Sequence, residues 1–157
     1  MLVLIGVLEK FHQISKLLLT AGDSQKLLRK LIPQCCGLSF AGGAAQSETG
    51  SGPIHAISHA LEAKFGCKHA HTVQRVSRSL IPLISHNFPK LVNQKISTRL
   101  VNDINLMTDA DEQIWPLLIP DVIATDIIRA AKLDPCWKAT KARIDDNTLS
   151  SFLVKVI

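Results

Sequence analysis

The chain has 157 residues, 46% hydrophobic, 4% aromatic and 20% charged, with a formal net charge of +5 and a mean hydropathy of +0.20. This length suits one domain that can bury a core without metal or disulfide support. A composition rich in Leu and Ile with no Tyr favours packed helices over a sheet while leaving apolar surface for association. No stretch approaches the roughly 20 apolar residues needed to cross a bilayer, so no transmembrane segment is expected.

Residues 1–8 are apolar like the start of a secretory signal, but no basic residue precedes them. Glu9, Lys10 and His12 interrupt the run early, so an amphipathic first helix is expected instead. Leu4, Leu8, Phe11, Ile14 and Leu18 repeat at helical spacing and predict that helix over 2–20. Gly22 suits the position after it, and Asp23 or Ser24 can cap the next. The second helix carries Leu27, Leu28, Leu31 and Ile32 on one side and Lys26, Arg29 and Lys30 towards the other, with Pro33 expected to close it. The pair forms an αα-hairpin over 1–36. Residues 37–53 have no apolar period and are rich in Gly, Ala and Ser, which predicts a long loop or linker. The segment lacks a lysine and the G-x-x-x-x-G-K-[ST] pattern, so no phosphate-binding loop is expected.

Ser51, Gly52 and Pro53 mark a helix start, with Ile54, Ile57, Leu61 and Phe65 as its stripe and Gly66 as its end. Val73, Val76, Leu80 and Ile84 define another helix, where Arg75 and Arg78 are expected to be exposed and Pro82 to kink or stop the chain. Phe88, Val92, Ile96, Leu100 and Ile104 mark a fifth helix, studded with Lys90, Lys95 and Arg99. Residues 108–111, Thr-Asp-Ala-Asp, resemble a capping box. Pro116 and Pro120 break the chain beyond it into short pieces, with Pro120 at N1 of a helix to Leu133. Asp134-Pro135 stops that helix, and Asp145 or Asp146 caps a last one carrying Leu149, Phe152, Leu153 and Val156. The expected architecture is all-α: a compact bundle of about six to eight short helices, with the main helical domain over 54–157.

Charge is unevenly divided. Residues 1–102 carry twelve Lys/Arg against four Asp/Glu, and residues 103–157 carry six against nine. A cationic front and an acidic end suit either an anionic partner or association between copies of the chain. Lys64, Lys68, Arg75, Arg78, Lys90, Lys95 and Arg99 supply repeated cations of the kind that holds a nucleic-acid backbone or an acidic protein. Aromatic residues for base stacking are scarce there, so contact would be to the backbone. Trp115 and Trp137 lie in the acidic third as candidate anchors for a protein interface.

Residues 55–71 gather four of the six histidines and one cysteine. His55 and His59, at i and i+4, share a helix face and can chelate zinc, with Cys67 and His69 or His71 folding back from beyond Gly66. The spacing matches no zinc-finger or H-E-x-x-H pattern. No catalytic arrangement is expected: there is no G-x-S-x-G, and the carboxylates cluster at helix starts, where capping accounts for them. Cys67 near His69 and His71, which could form an activated thiolate, is read as incidental because thiol and base stand so close in sequence. Cys35, Cys36, Cys67 and Cys136 form no regular disulfide framework, which suits reduced thiols in the cytoplasm or nucleus.

The sequence is therefore expected to encode a non-enzymatic helical assembly or structural protein. A basic, nucleocapsid-like surface would meet an anionic partner, and the chain would act as a homo-oligomer or a subunit of a larger assembly. The alternative is a zinc-binding regulatory or interaction domain centred on residues 55–71.

Overall fold

The computed structural model describes residues 2–22, 24–89, 94–106, 120–138 and 144–156. Among them are eight helices and no strand: α1 (Leu2–Ala21), α2 (Gln25–Thr49), α3 (Gly52–Phe65), α4 (His69–Asn87), α5 (Gln94–Leu106), α6 (Asp121–Leu133), α7 (Pro135–Lys138) and α8 (Asp146–Val156). Lys90, Val92, the 108–111 capping box, Trp115 and Pro116 lie outside the described residues.

The core forms where α3 packs on α4, α6 and α7, with α8 laid against α6 and α4. Ile57 and Leu61 of α3, Val76 and Leu80 of α4, Ile127 and Ala131 of α6, and Leu149 and Leu153 of α8 are buried there in one cluster. These are the residues of the 3.6-period stripes, so burying them is what orders the helices. The expected hairpin is present: α1 packs on α2, and α1 also packs on α5, which in turn lies on α4. One polar contact marks the seam between α1 and α5. His12 donates from Nδ1 to both carboxylate oxygens of Asp103, at 2.6 and 2.8 Å, and Asp103 is 3% exposed.

Local chemistry sets most helix ends. Gly66 closes α3 in the left-handed conformation (φ 68°, ψ 22°), its amide donating to the Glu62 carbonyl at 2.8 Å. Pro53 occupies the first turn of α3. Asp145 caps α8, accepting from the Thr148 amide at 2.9 Å and from its hydroxyl at 2.7 Å. Pro120 sits one place before its expected position, as the N-cap of α6.

Two proline-based expectations are corrected. The segment 37–49, expected as a Gly/Ala/Ser loop, is the C-terminal half of α2, and Pro33 lies inside that helix rather than closing it. Its less exposed side runs on at helical spacing from the buried Leu31 through the half-buried Gln34, Cys35, Leu38 and Ala41. Small residues hid this stripe from a hydropathy pattern, although alanine is the best helix former. Pro82 likewise lies inside α4, which runs on to Asn87, so of the expected kink or stop the stop is excluded. Phe88 is not in the fifth helix: it caps α4 in a non-helical conformation (φ −132°, ψ 60°), as Pro89 disfavours the helical region for its predecessor. No helix among the described residues is long and apolar enough to cross a membrane.

Candidate metal centre

The N-terminal ends of α3 and α4 and the α6–α7 turn meet on one side of the core. On α3, His55 and His59 project from the same face, their ring centroids 6.1 Å apart. The Gly66 turn reverses the chain so that His69, the first residue of α4, lies over both, 5.4 Å from His55 and 5.2 Å from His59 by ring centroid. Two imidazoles on one tetrahedral ion, with metal–nitrogen bonds of ~2.0–2.1 Å, place their rings roughly 5 Å apart, so this clustering has the right scale.

Each ring has one nitrogen already engaged. His59 donates from Nδ1 to Asp134 Oδ2 at 2.9 Å, and His69 donates from Nδ1 to Glu62 Oε1 at 2.6 Å. His55 is hydrogen-bonded to the backbone of Ser51. An imidazole whose one nitrogen is fixed by an oxygen acceptor presents the other as a lone-pair donor, the arrangement found behind metal-bound histidines. Burial lowers the His55 pKa, and the nearby His69 and His59 lower it further, which favours the neutral, ligating form.

The α6–α7 turn contributes residues that the histidine-rich segment does not contain. Asp134 is the C-cap of α6 in an extended conformation, as Pro135 requires of the residue before it. Its Oδ1 accepts from the Cys136 amide at 2.7 Å while Oδ2 accepts from His59. Ligand atoms of His59, Asp134 and Cys136 all lie within 4.8 Å of one another. Burial alone would raise the Asp134 carboxyl, but the hydrogen bonds from His59 and from Cys136 outweigh it and hold the group below its ordinary value.

The five residues expected as metal ligands are thus divided. His55, His59 and His69 come together, and sulfur is brought to His59 by Cys136 rather than by Cys67. Cys67, beyond the Gly66 turn, is half-buried, and His71 lies half-buried two positions along α4 from His69, a rotation of about 200° around the helix. Burial pushes both the Cys67 and Cys136 thiols up, reinforced by Glu62 and Asp134 respectively, which disfavours the thiolate form.

The expected cationic residues are spread over three consecutive helices. Lys64 at the end of α3, Lys68 before α4, and Lys95 and Arg99 on α5 are exposed. Arg75 and Arg78, expected to be exposed, are half-buried, and Arg78 Nε is enclosed with no hydrogen-bond partner among the described residues. The cause is packing: α4 has neighbours on both sides, α3 and α5, so little of its circumference remains open. Lys90 and Trp115 lie outside the described residues, while Trp137 in α7 is partly buried against the core.

Sequence reasoning missed Asp134 and Cys136 because they stand about 75 residues from His59. The available signal was the Asp-Pro-Cys-Trp run, which places an acid and a thiol on one tight turn. Compared with protein-family models, curated proteins and solved structures, the chain matches none.

Proposed function

We propose that this protein is a metal-holding helical module, in which a zinc-class cation at the junction of α3, α4 and the α6–α7 turn supports a surface for interaction with other molecules. One observation carries the proposal. Three imidazoles from two helices converge to within 5.2–6.1 Å, each with one nitrogen held by an oxygen acceptor. Histidines placed only for solubility have no reason to be anchored in this way. The role is binding and organisation rather than catalysis. The test is metal analysis of the purified full chain: close to one zinc per chain, a melting temperature lowered by a chelator, and loss of the metal in His55→Ala/His59→Ala. Metal-free protein whose melting temperature is unchanged by zinc or chelator refutes the proposal.

A second reading keeps the basic surface as a site for an anionic partner, a nucleic-acid backbone or an acidic protein. Its support is the exposure of Lys64, Lys68, Lys95 and Arg99 on consecutive helices. Association with further copies of the chain is favoured by large apolar side chains left open to solvent, Phe40 at 81% and Leu133 at 76% exposure among them.

A further inference from the structure

We infer that Asp134 and Cys136 complete the metal centre with His59, so that the cation is gripped by oxygen, sulfur and nitrogen together and staples the α6–α7 turn onto α3. This centre rests on the metal-holding function proposed above and goes beyond it in two ligands from a distant part of the chain and, through them, in the class of metal. The ligand atoms of these three side chains already lie within 4.8 Å of one another. The ion would take the place of the proton that His59 Nδ1 now donates to Asp134 Oδ2 at 2.9 Å, so that His59 ligates through Nδ1. Asp134 then passes from hydrogen-bond acceptor to ligand as the proton is released. The fourth position falls to His69 or His55, whose rings lie 5.2 and 6.1 Å from that of His59.

Backbone geometry supports the assignment independently of the histidines. Pro135 holds Asp134 extended, and Asp134 Oδ1 then accepts the Cys136 amide at 2.7 Å, so carboxylate and thiol are carried on one rigid turn against α3. α7 itself is only four residues long and has no fully buried residue, and it meets the core through the part-buried Cys136 and Trp137. A cation joining Cys136 and Asp134 to His59 would reinforce that attachment, because binding free energy at such a site is folding free energy. A thiolate with imidazole and one carboxylate selects zinc, cobalt(II) or cadmium over magnesium and calcium, which take oxygen ligands.

Cobalt(II) reports the ligands directly. Full-length protein titrated with cobalt(II) should develop visible bands of a tetrahedral site and a near-ultraviolet sulfur-to-cobalt charge-transfer band, and zinc should displace both. Cys136→Ser should lose the charge-transfer band and bind at least ~10-fold more weakly, Asp134→Asn should weaken binding by ~10–100-fold, and Cys67→Ser should leave band and affinity unchanged. Circular dichroism on each variant confirms retained helix, and if Cys136→Ser loses helix, the wild-type charge-transfer band compared with Cys67→Ser decides alone. Cobalt binding without a sulfur band, or with a band that Cys67→Ser abolishes, overturns this inference and leaves the metal-holding function standing. Absence of any cobalt or zinc binding overturns both. Binding of magnesium or calcium as tightly as zinc overturns the assigned metal class.

Discussion

Replacing His12 with alanine removes the hydrogen-bond partner of a buried carboxylate, Asp103. Asp103 is 3% exposed, the His12 side chain 18%, and the two hydrogen bonds measure 2.6 and 2.8 Å. Leaving a buried polar group unsatisfied costs ~1–3 kcal/mol, and leaving a buried charge unpaired costs ~3–5 kcal/mol. Asp103 lies at the meeting point of those ranges, because the space vacated by His12 sits near the surface and admits some water. The expected loss is therefore about 3 kcal/mol, which for a chain of this size lowers the melting temperature by ~6–12 °C. Urea unfolding followed by circular dichroism measures it. In His12→Leu/Asp103→Leu no charge remains buried, so the double variant should be markedly more stable than the sum of the single losses implies. Additive single effects, or a loss below ~0.5 kcal/mol for His12→Ala, would show that the hairpin does not dock on α5 through this pair.

Further outcomes test other elements. Gly43 lies inside α2 with open space where a Cβ would go, so Gly43→Ala should stabilise the protein by ~0.5–1 kcal/mol. A neutral or destabilising result in the same urea assay would return residues 37–49 to the loop expected from composition. The hydrogen bonds from Thr148 hold the Asp145 carboxyl below its ordinary value of 3.8. Its contribution is then fully present above that value and is lost as pH falls through the lower folded value, so melting temperature should drop with acid less steeply in Asp145→Asn than in wild type. Parallel slopes would remove Asp145 as the cap of α8. If the basic surface holds a nucleic-acid backbone, replacing Lys64, Lys68, Lys95 and Arg99 with alanine should weaken binding to all sequences alike and flatten the salt slope by about 0.9 per lost contact. Replacing Lys132, Lys138 and Lys141 should matter much less; Lys132 is already paired with Asp146. Identical behaviour of the two sets in a salt titration would leave the cations as a solubilising surface.

The sequence by itself determined the class and several of the helix ends, because those depend on residues within one or two turns of each other. Apolar stripes such as Ile57–Leu61 and Leu149–Phe152–Leu153 can be read from spacing and are buried in the core. The stops at Gly66 and Asp134 and the cap at Asp145 follow from single residue types with few allowed backbone conformations. Spacing also placed His55 and His59 on one face. What only the tertiary structure decided lies between helices. The length of α2 escaped composition because its hidden side is made partly of small residues, and a proline or glycine penalises a helix without forbidding it once a neighbour packs on it. The half-burial of Arg75 and Arg78 depends on α4 having neighbours on both sides. The meeting of His12 with Asp103, 91 residues apart, and of His59 with Asp134, 75 apart, is set by packing angles that no local pattern encodes. Hydrophobic periodicity specifies which face of a helix is buried. Which helix covers it, and hence which polar groups at the rim become partners, is decided only when all the faces are packed together.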